Sequence, residues 1–168
     1  INGGRWQFSL SLCIEIMKIV IQRVSSASLR INKEIERHIE NGLVVFLGIH
    51  SEDNLDDIQY LIKKIVALRI FSDGDGKMNL SVQDVTGDLL LISQFTLYAQ
   101  TMKGNRPSFI DAATPEIALP LYHDFLACLQ QQYSGRVETG EFGADMQITL
   151  CNDGPITIII DSKEKKSL

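Results

Sequence analysis

Cysteine is scarce in this sequence, and what is present forms no framework. Cys13, Cys128 and Cys151 are an odd, widely spaced set with no C-x-x-C pair. That argues against a disulfide scaffold and against a zinc finger, and it fits a reducing cytoplasm. Long hydrophobic runs are also missing. No apolar stretch reaches the ~18–20 residues that a membrane-spanning helix needs, so no membrane partner is expected. Positive charge is in deficit: 16 Lys plus Arg against 21 Asp plus Glu leave a net charge of −5. This disfavours the broad basic face of a protein that coats nucleic acid, and DNA is not an expected partner, although a small basic patch remains open. Histidine is limited to His38, His50 and His123, without metal-ligand spacing. There is no G-x-S-x-G elbow and no Walker phosphate loop. Asp73-Gly74-Asp75-Gly76 starts like a calcium loop, but Lys77 and Met78 take the fifth and sixth positions and Asp84 the twelfth, so a turn is expected there. No metal or cofactor is expected.

What is present suits one folded domain. The chain has 168 residues, 45% apolar and 22% charged, which is too apolar for a disordered segment. Phe8–Ile16 comes nearest to a signal peptide, but Ser9 and Ser11 interrupt it and no small-residue cleavage site follows. Met17-Lys-Ile-Val-Ile-Gln-Arg-Val looks like a native start and a first strand. Residues 1–16 are therefore expected to be an extension outside the native domain, with the domain at 17–161 and a tail at 162–168.

Short β-branched runs at Ile19–Val24, Ser28–Ile31 and Leu43–Ile49 predict strands, with Asn32-Lys33 and Asn41-Gly42 as turn residues. Asn54–Arg69 switches to helical spacing, with Leu55, Ile58, Leu61, Ile62, Ile65 and Leu68 on one face. Acids crowd its start and bases its end, the order that complements a helix dipole. A strand is expected at Asp88–Gln94. A second helix should start at Thr114-Pro115, a cap and first-turn pair, and bury Ile117, Leu121, Tyr122, Phe125 and Leu129. Arg136–Glu138, Met146–Cys151 and Ile156–Ile160 read as closing strands. Strands at both ends around two helices, with no alternating βαβ series, predict a single mixed α+β domain.

Three segments stand out chemically. Ser93-Gln94-Phe95-Thr96-Leu97-Tyr98 ends an apolar strand with hydroxyl and amide groups, as rigid scaffolds do where they present polar groups to ligands. The alternative is a strand whose Ser93 and Thr96 bond only to nearby backbone. Lys103-Gly104-Asn105-Arg106-Pro107-Ser108-Phe109 places two positive charges next in sequence, suited to phosphate or a nucleic-acid end. The alternative is a solvated loop ordered by Arg106. Asn152-Asp153-Gly154-Pro155-Ile156-Thr157 separates two apolar runs. A hairpin turn explains it, while Gly154 also permits close approach of a ligand. Propensity favours a trans Gly154–Pro155 bond, since only about 5–6% of X-Pro bonds in folded proteins are cis.

Together these segments resemble the motifs of the D-aminoacyl-tRNA deacylases, the D-Tyr-tRNA deacylase family. Met17-Lys-Ile-Val-Ile-Gln-Arg-Val, Gly76-Lys-Met-Asn-Leu-Ser-Val and Phe142-Gly-Ala match as well, and the resemblance runs from Met17 to about Asp161. Ile156 stands where Val is commoner. The resemblance implies a barrel-like α+β fold working as a homodimer. It implies hydrolysis of the ester joining a D-amino acid to the terminal adenosine of tRNA, and removal of glycine mischarged on tRNA-Ala. It places Ser93, Gln94, Phe95 and Thr96 at the pocket floor. It makes Gly154-Pro155 a cis pair that enters the partner subunit's pocket with its carbonyls facing the substrate amino group. Both implications go beyond propensity, and the second contradicts its trans prediction.

The physics of such a site can be argued separately. Mirror-image amino acids carry the same groups, so only a fixed shape around Cα separates them. Backbone locked in a Gly-Pro pair is stiffer than a long side chain and reads only the Cα substituents. It should therefore admit many D side chains, and glycine. Ester hydrolysis needs donors for the developing oxyanion, and the backbone N–H groups of Phe95 and Thr96 with the side chains of Ser93 and Gln94 are candidates. No histidine or lysine lies in the segment to activate Thr96 as a nucleophile. The resemblance favours water attack assisted by the RNA 2′-hydroxyl, with Thr96 positioning or stabilising and Lys103 and Arg106 at the tRNA acceptor end. Two alternatives are a noncatalytic RNA-binding module of the same fold and a Thr96-dependent esterase of small substrates.

Overall fold

The structure is a computed structural model and describes residues 17–162. The expectation for residues 1–16 lies outside the described residues. The chain runs β1 (Lys18–Ile31), β2 (Ile35–Ile39), β3 (Gly42–Gly48), α1 (Leu55–Ala67), β4 (Phe71–Ser72), β5 (Met78–Leu80), β6 (Asp88–Ser93), a 3₁₀ turn (Phe95–Tyr98), α2 (Pro115–Gln132), β7 (Val137–Thr139) and β8 (Met146–Asp161).

β1 is the spine of the main sheet. It pairs antiparallel with β8 along one edge and with β3 and then β2 along the other. β3 pairs parallel with β6, and β6 parallel with β7. A parallel step cannot be made by a hairpin and needs a crossover. α1 lies in the first crossover and α2 in the second, so the middle of this α+β domain contains two such units that the strand pattern alone did not announce. The sheet order is β2-β1-β3-β6-β7, and Arg37 Nε of β2 lies 3.8 Å from Glu138 Oε2 of β7. The two ends of that order thus lie close together, and the mixed sheet forms a barrel-like wall.

Both faces of β3 and β6 are covered, which is why they read as continuous apolar runs. Leu43, Val45, Leu47, Leu89 and Leu91 pack under the helices, while Val44, Leu90 and Ile92 face a second core with Val24, Leu29 and Ile39. α1 starts at Asn54, whose side chain accepts from Asp56 N at 2.9 Å, while the Asp57 carboxylate accepts from Asn54 N at 3.1 Å. This reciprocal cap fixes the start of the helix. Ile58, Leu61, Ile62 and Ile65 face the core, but Leu55 is exposed. Just ahead of the helix, the Asp53 carboxylate accepts from Met17 N at 2.5 Å and from His50 N at 2.6 Å. Burial pushes its pKa up to about 7, against the lowering effect of those two bonds.

Several expectations change. The two strands expected at Ile19–Val24 and Ser28–Ile31 are one strand, and those at Met146–Cys151 and Ile156–Ile160 are one strand as well. Asn152–Thr157 is therefore no hairpin turn. β2, β4 and β5 were not expected. In α2 the inward positions are Ala118, Tyr122, Phe125 and Leu129, spaced by four, three and four residues, which leaves Ile117 exposed and Leu121 half-buried. Thr114 is the cap residue of α2, but it serves through its carbonyl, which accepts from Ile117 N and Ala118 N, and its side chain makes no cap bond.

Candidate active site

Parallel strands that end side by side open a crevice beyond their carboxyl ends, a common ligand position. β3 and β6 end in register, with Leu47 opposite Ser93. Gln94 N then donates to Leu47 O at 2.7 Å, which holds the chain as it leaves β6 for the 3₁₀ turn. A cavity of about 580 Å³ opens there. Its wall is mainly apolar: Leu47 and Ile92 from the strand ends, Phe109 and Ala112 from the loop before α2, Ala118 from α2, and Phe142 and Met146 around the start of β8. Ser93 and Gln94 supply the side-chain polar groups. An apolar cleft with a few fixed polar groups is the usual form of a small-ligand site.

The four residues expected at the pocket floor are divided by the structure. Ser93, Gln94 and Phe95 line the cavity, whereas Thr96 does not and is exposed. Phe95 is 58% exposed and meets Phe109 edge-to-face, with ring centroids 5.1 Å apart. Gln94 Nε2 donates to Thr96 Oγ1 at 2.5 Å. No basic side chain hydrogen-bonds to Thr96 among the described residues, so nothing there would take its proton. The N–H groups of Phe95 and Thr96 open the 3₁₀ turn without a backbone acceptor among the described residues, and they are free to donate to a bound oxygen.

The Gly-Pro segment sits on a bulge. Gln22 of β1 pairs with Thr157 of β8 and Val24 pairs with Asn152, so residues 153–156 stand out from the ladder. The Asn152 side chain closes the bulge, its Oδ1 accepting from Ile156 N at 2.8 Å and its Nδ2 donating to Ile156 O at 3.2 Å. Gly154 has φ +127°, and the Gly154–Pro155 bond is cis, as the resemblance implies and against the trans geometry that propensity favours. Both residues are exposed, and neither lines the cavity of its own chain. The basic loop is separate again. Gln100 and Ser108 exchange backbone hydrogen bonds of 2.8 and 3.0 Å at its base, and the Gln100 side chain donates to the Asp111 carboxylate. Lys103 and Arg106 are exposed on the arm between. Arg106 makes no side-chain bond to a described residue, so the loop is not ordered by it.

The profile of D-Tyr-tRNA(Tyr) deacylase matches residues 20–161, most of the chain. The chain belongs to that family. A D-aminoacyl-tRNA deacylase of Flavobacterium psychrophilum is 54% identical over 150 residues, 89% of this chain and 100% of that one. One from Akkermansia muciniphila is 53% identical over the same shares. A solved structure of a c-Myc DNA unwinding element binding protein is 40% identical, with a TM-score of 0.80 over 85% of this chain and 97% of that one. A probable eukaryotic D-amino acid tRNA deacylase shares the fold at 17% identity, with a TM-score of 0.76 over 86% of this chain and 98% of that one.

In this member of the deacylase family, part of the site carries little local signal in the sequence. Phe109, Phe142 and Gly143 line the cavity. Phe109 was visible only as the last residue of the basic loop, and Phe142-Gly143 only as a matching motif. Arg23, buried beneath the bulge, lies in a stretch whose pattern predicts a strand and nothing more. Its one signal is a full charge beside Gln22 in a run whose other members are Ile and Val. Among the described residues no group of three or more His, Cys, Asp and Glu side chains could hold a metal ion, and no helix is long and apolar enough to cross a membrane.

Proposed function

We propose that the protein hydrolyses the ester bond of D-aminoacyl-tRNA and releases free D-amino acid and tRNA, as a chiral proofreading step of translation in the cytoplasm. The observation that carries this reading is the pairing of two complementary parts that do not meet within one chain. One is a cavity with Ser93, Gln94 and Phe95 on its wall, and the other is an exposed Gly154-Pro155 tip that does not line that cavity. A homodimer that inserts each tip into the partner's cavity completes both. The family membership and the deacylase names of the close relatives support the substrate class.

In this scheme water attacks the ester carbonyl carbon. The carbonyl oxygen becomes an oxyanion held by the N–H groups of Phe95 and Thr96 and by the side chains of Ser93 and Gln94. The bond to the ribose oxygen then breaks, and the leaving alkoxide takes a proton, with the neighbouring 2′-hydroxyl assisting the transfer. Thr96 positions and stabilises and does not attack, since it lacks a base. The Gly154 and Pro155 carbonyls face the substrate amino group and leave no room for an L arrangement. Glycine, having no group to clash, is also removed, including from tRNA-Ala. Lys103 and Arg106 meet phosphates of the acceptor end.

The same missing base favours one second reading, a noncatalytic RNA-binding module. Incubation with D-Tyr-tRNA, L-Tyr-tRNA and glycyl-tRNA-Ala separates them. The deacylase releases D-tyrosine and glycine and spares L-tyrosine; binding without turnover selects the module.

A further inference from the structure

The 3₁₀ turn after β6 carries the Phe95 and Thr96 N–H groups, yet it has few ties of its own. It is four residues long, and its internal backbone bonds run from Leu97 N to Gln94 O at 3.3 Å and from Ala99 N to Thr96 O at 3.1 Å. Such turns are tight but weakly bonded, and they do not fix their own position. Phe95 and Thr96 are exposed and Leu97 is half-buried. Tyr98 alone of the four is buried, at 1% exposure.

Tyr98 reaches back to the carboxyl end of β3. Its hydroxyl donates to the Gly48 carbonyl at 3.3 Å, a long bond, so most of the hold lies in the ring. A Cβ built on Gly48 would lie 3.0 Å from Tyr98 Cε2 and 3.2 Å from Leu97 Cβ. The turn therefore rests on bare strand backbone, closer than a side chain at position 48 would allow. Lys18 pairs with Gly48 across β1 and β3, and its ammonium lies 4.3 Å from the centre of the Tyr98 ring, within cation–π range. The His50 ring lies 5.9 Å from the same ring. At the start of the turn, Gln94 N donates to Leu47 O. The two N–H groups thus sit between ties to two consecutive residues of one strand, Leu47 and Gly48. Neither Tyr98 nor Gly48 lines the cavity.

We infer that Tyr98 is a positioning residue for the oxyanion donors: packed on Gly48, it sets the place of the 3₁₀ turn and with it that of the Phe95 and Thr96 N–H groups. This rests on the deacylase reading, in which those two groups hold the ester's carbonyl oxygen. Donors help only when they are aimed in advance at the place where the charge develops, so the seat of the turn governs the chemical step.

The test uses the full chain with Y98L and G48A. Y98L removes the ring and keeps an apolar side chain. G48A keeps the ring and makes the turn give way by a few tenths of an ångström. Hydrolysis of D-Tyr-tRNA and L-Tyr-tRNA is measured well below each variant's thermal midpoint, where the variant is folded. Loss of one oxyanion donor costs about a hundredfold or more in kcat, and a small displacement of both costs less. The kcat on D-Tyr-tRNA should therefore fall about tenfold in each variant, with KM held within about twofold. The L-ester should survive at its spontaneous rate, because the Gly154-Pro155 tip is untouched. A residue that only fills the core would lower the midpoint and leave the kcat of the folded enzyme alone. Unchanged kcat in either folded variant overturns the role, and so does a change carried mainly by KM. Hydrolysis of the L-ester above its spontaneous rate also overturns it, since that reports a lost filter and not displaced donors. If Y98L does not fold, G48A decides by the same readouts. A wild-type protein inactive on both substrates overturns the deacylase reading and the role with it, whereas an active wild type matched by its variants overturns the role alone.

Discussion

The Gln94 side-chain amide donates to the Thr96 hydroxyl across 2.5 Å. This bond occupies a lone pair of Thr96 Oγ1, while no base among the described residues takes its proton, the reverse of what a nucleophile requires. Thr96→Ala should therefore retain measurable hydrolysis of D-Tyr-tRNA, reduced about tenfold to a hundredfold through lost positioning. Mass spectrometry after substrate trapping should find no covalent adduct on the wild-type chain. Complete loss of activity in a folded variant, together with an adduct on Thr96, would favour the esterase reading.

Gly154 combines φ +127° with close neighbours, since an added Cβ would lie 2.8 Å from Ile156 Cγ1 and 3.1 Å from Ile156 N. Gly154→Val must distort the tip, because β-branched residues avoid that backbone region. Turnover of D-Tyr-tRNA should fall at least about tenfold. The strain should also lower the thermal midpoint by a few degrees, so turnover is compared well below that midpoint, where the variant is folded. Wild-type kinetics in this variant would remove the tip from the site.

Lys103 and Arg106 stand exposed on the loop closed by Gln100 and Ser108. Replacing both with alanine should raise KM for tRNA and leave kcat and folding unchanged. The salt dependence of binding should become shallower by about 0.7 log units per lost phosphate contact. An unchanged salt slope would take the loop out of the tRNA path.

Asp53 gives a pH signature. Its folded pKa is raised to about 7 from an ordinary value of 3.8, with burial as the main cause. The folded protein then binds more protons than the unfolded chain across that interval, so this group makes stability fall as pH rises from about 4 to about 7 and level off above. Asp73 and Asp84 act oppositely, because hydrogen bonds hold their carboxyls below the ordinary range and their contribution is lost in acid. Denaturant unfolding from pH 5 to 8 should show the decline in the wild type and a flatter profile in Asp53→Asn. An equal slope in both would contradict the assignment.

Periodicity carried the helices and the buried strands. α1 was legible because its inward face repeats at helical spacing and its cap is made by adjacent residues, Asn54 and Asp57. β3 and β6 were legible because both of their faces are apolar. β2 was not, since of its five residues only Ile39 is buried and its pairing with β1 comes from backbone bonds. β8 was split by Asn152-Asp153-Gly154-Pro155, a turn by local chemistry. The long partner β1 runs past it and turns the break into a bulge. Of the site, Ser93, Gln94 and Phe95 were found as a strand-end cluster, while Thr96, grouped with them, stays outside the cavity. Arg23 was missed because its partners Ile70 and Asp153 lie 47 and 130 residues away.

The central claim is stereoselective hydrolysis, and a time course of amino-acid release from D-Tyr-tRNA and L-Tyr-tRNA by the purified protein, in parallel, tests it most directly. Release of D-tyrosine at catalytic protein concentration, with the L-ester surviving at its spontaneous rate, is the predicted result. Equal release from the two substrates, or release from neither, contradicts it.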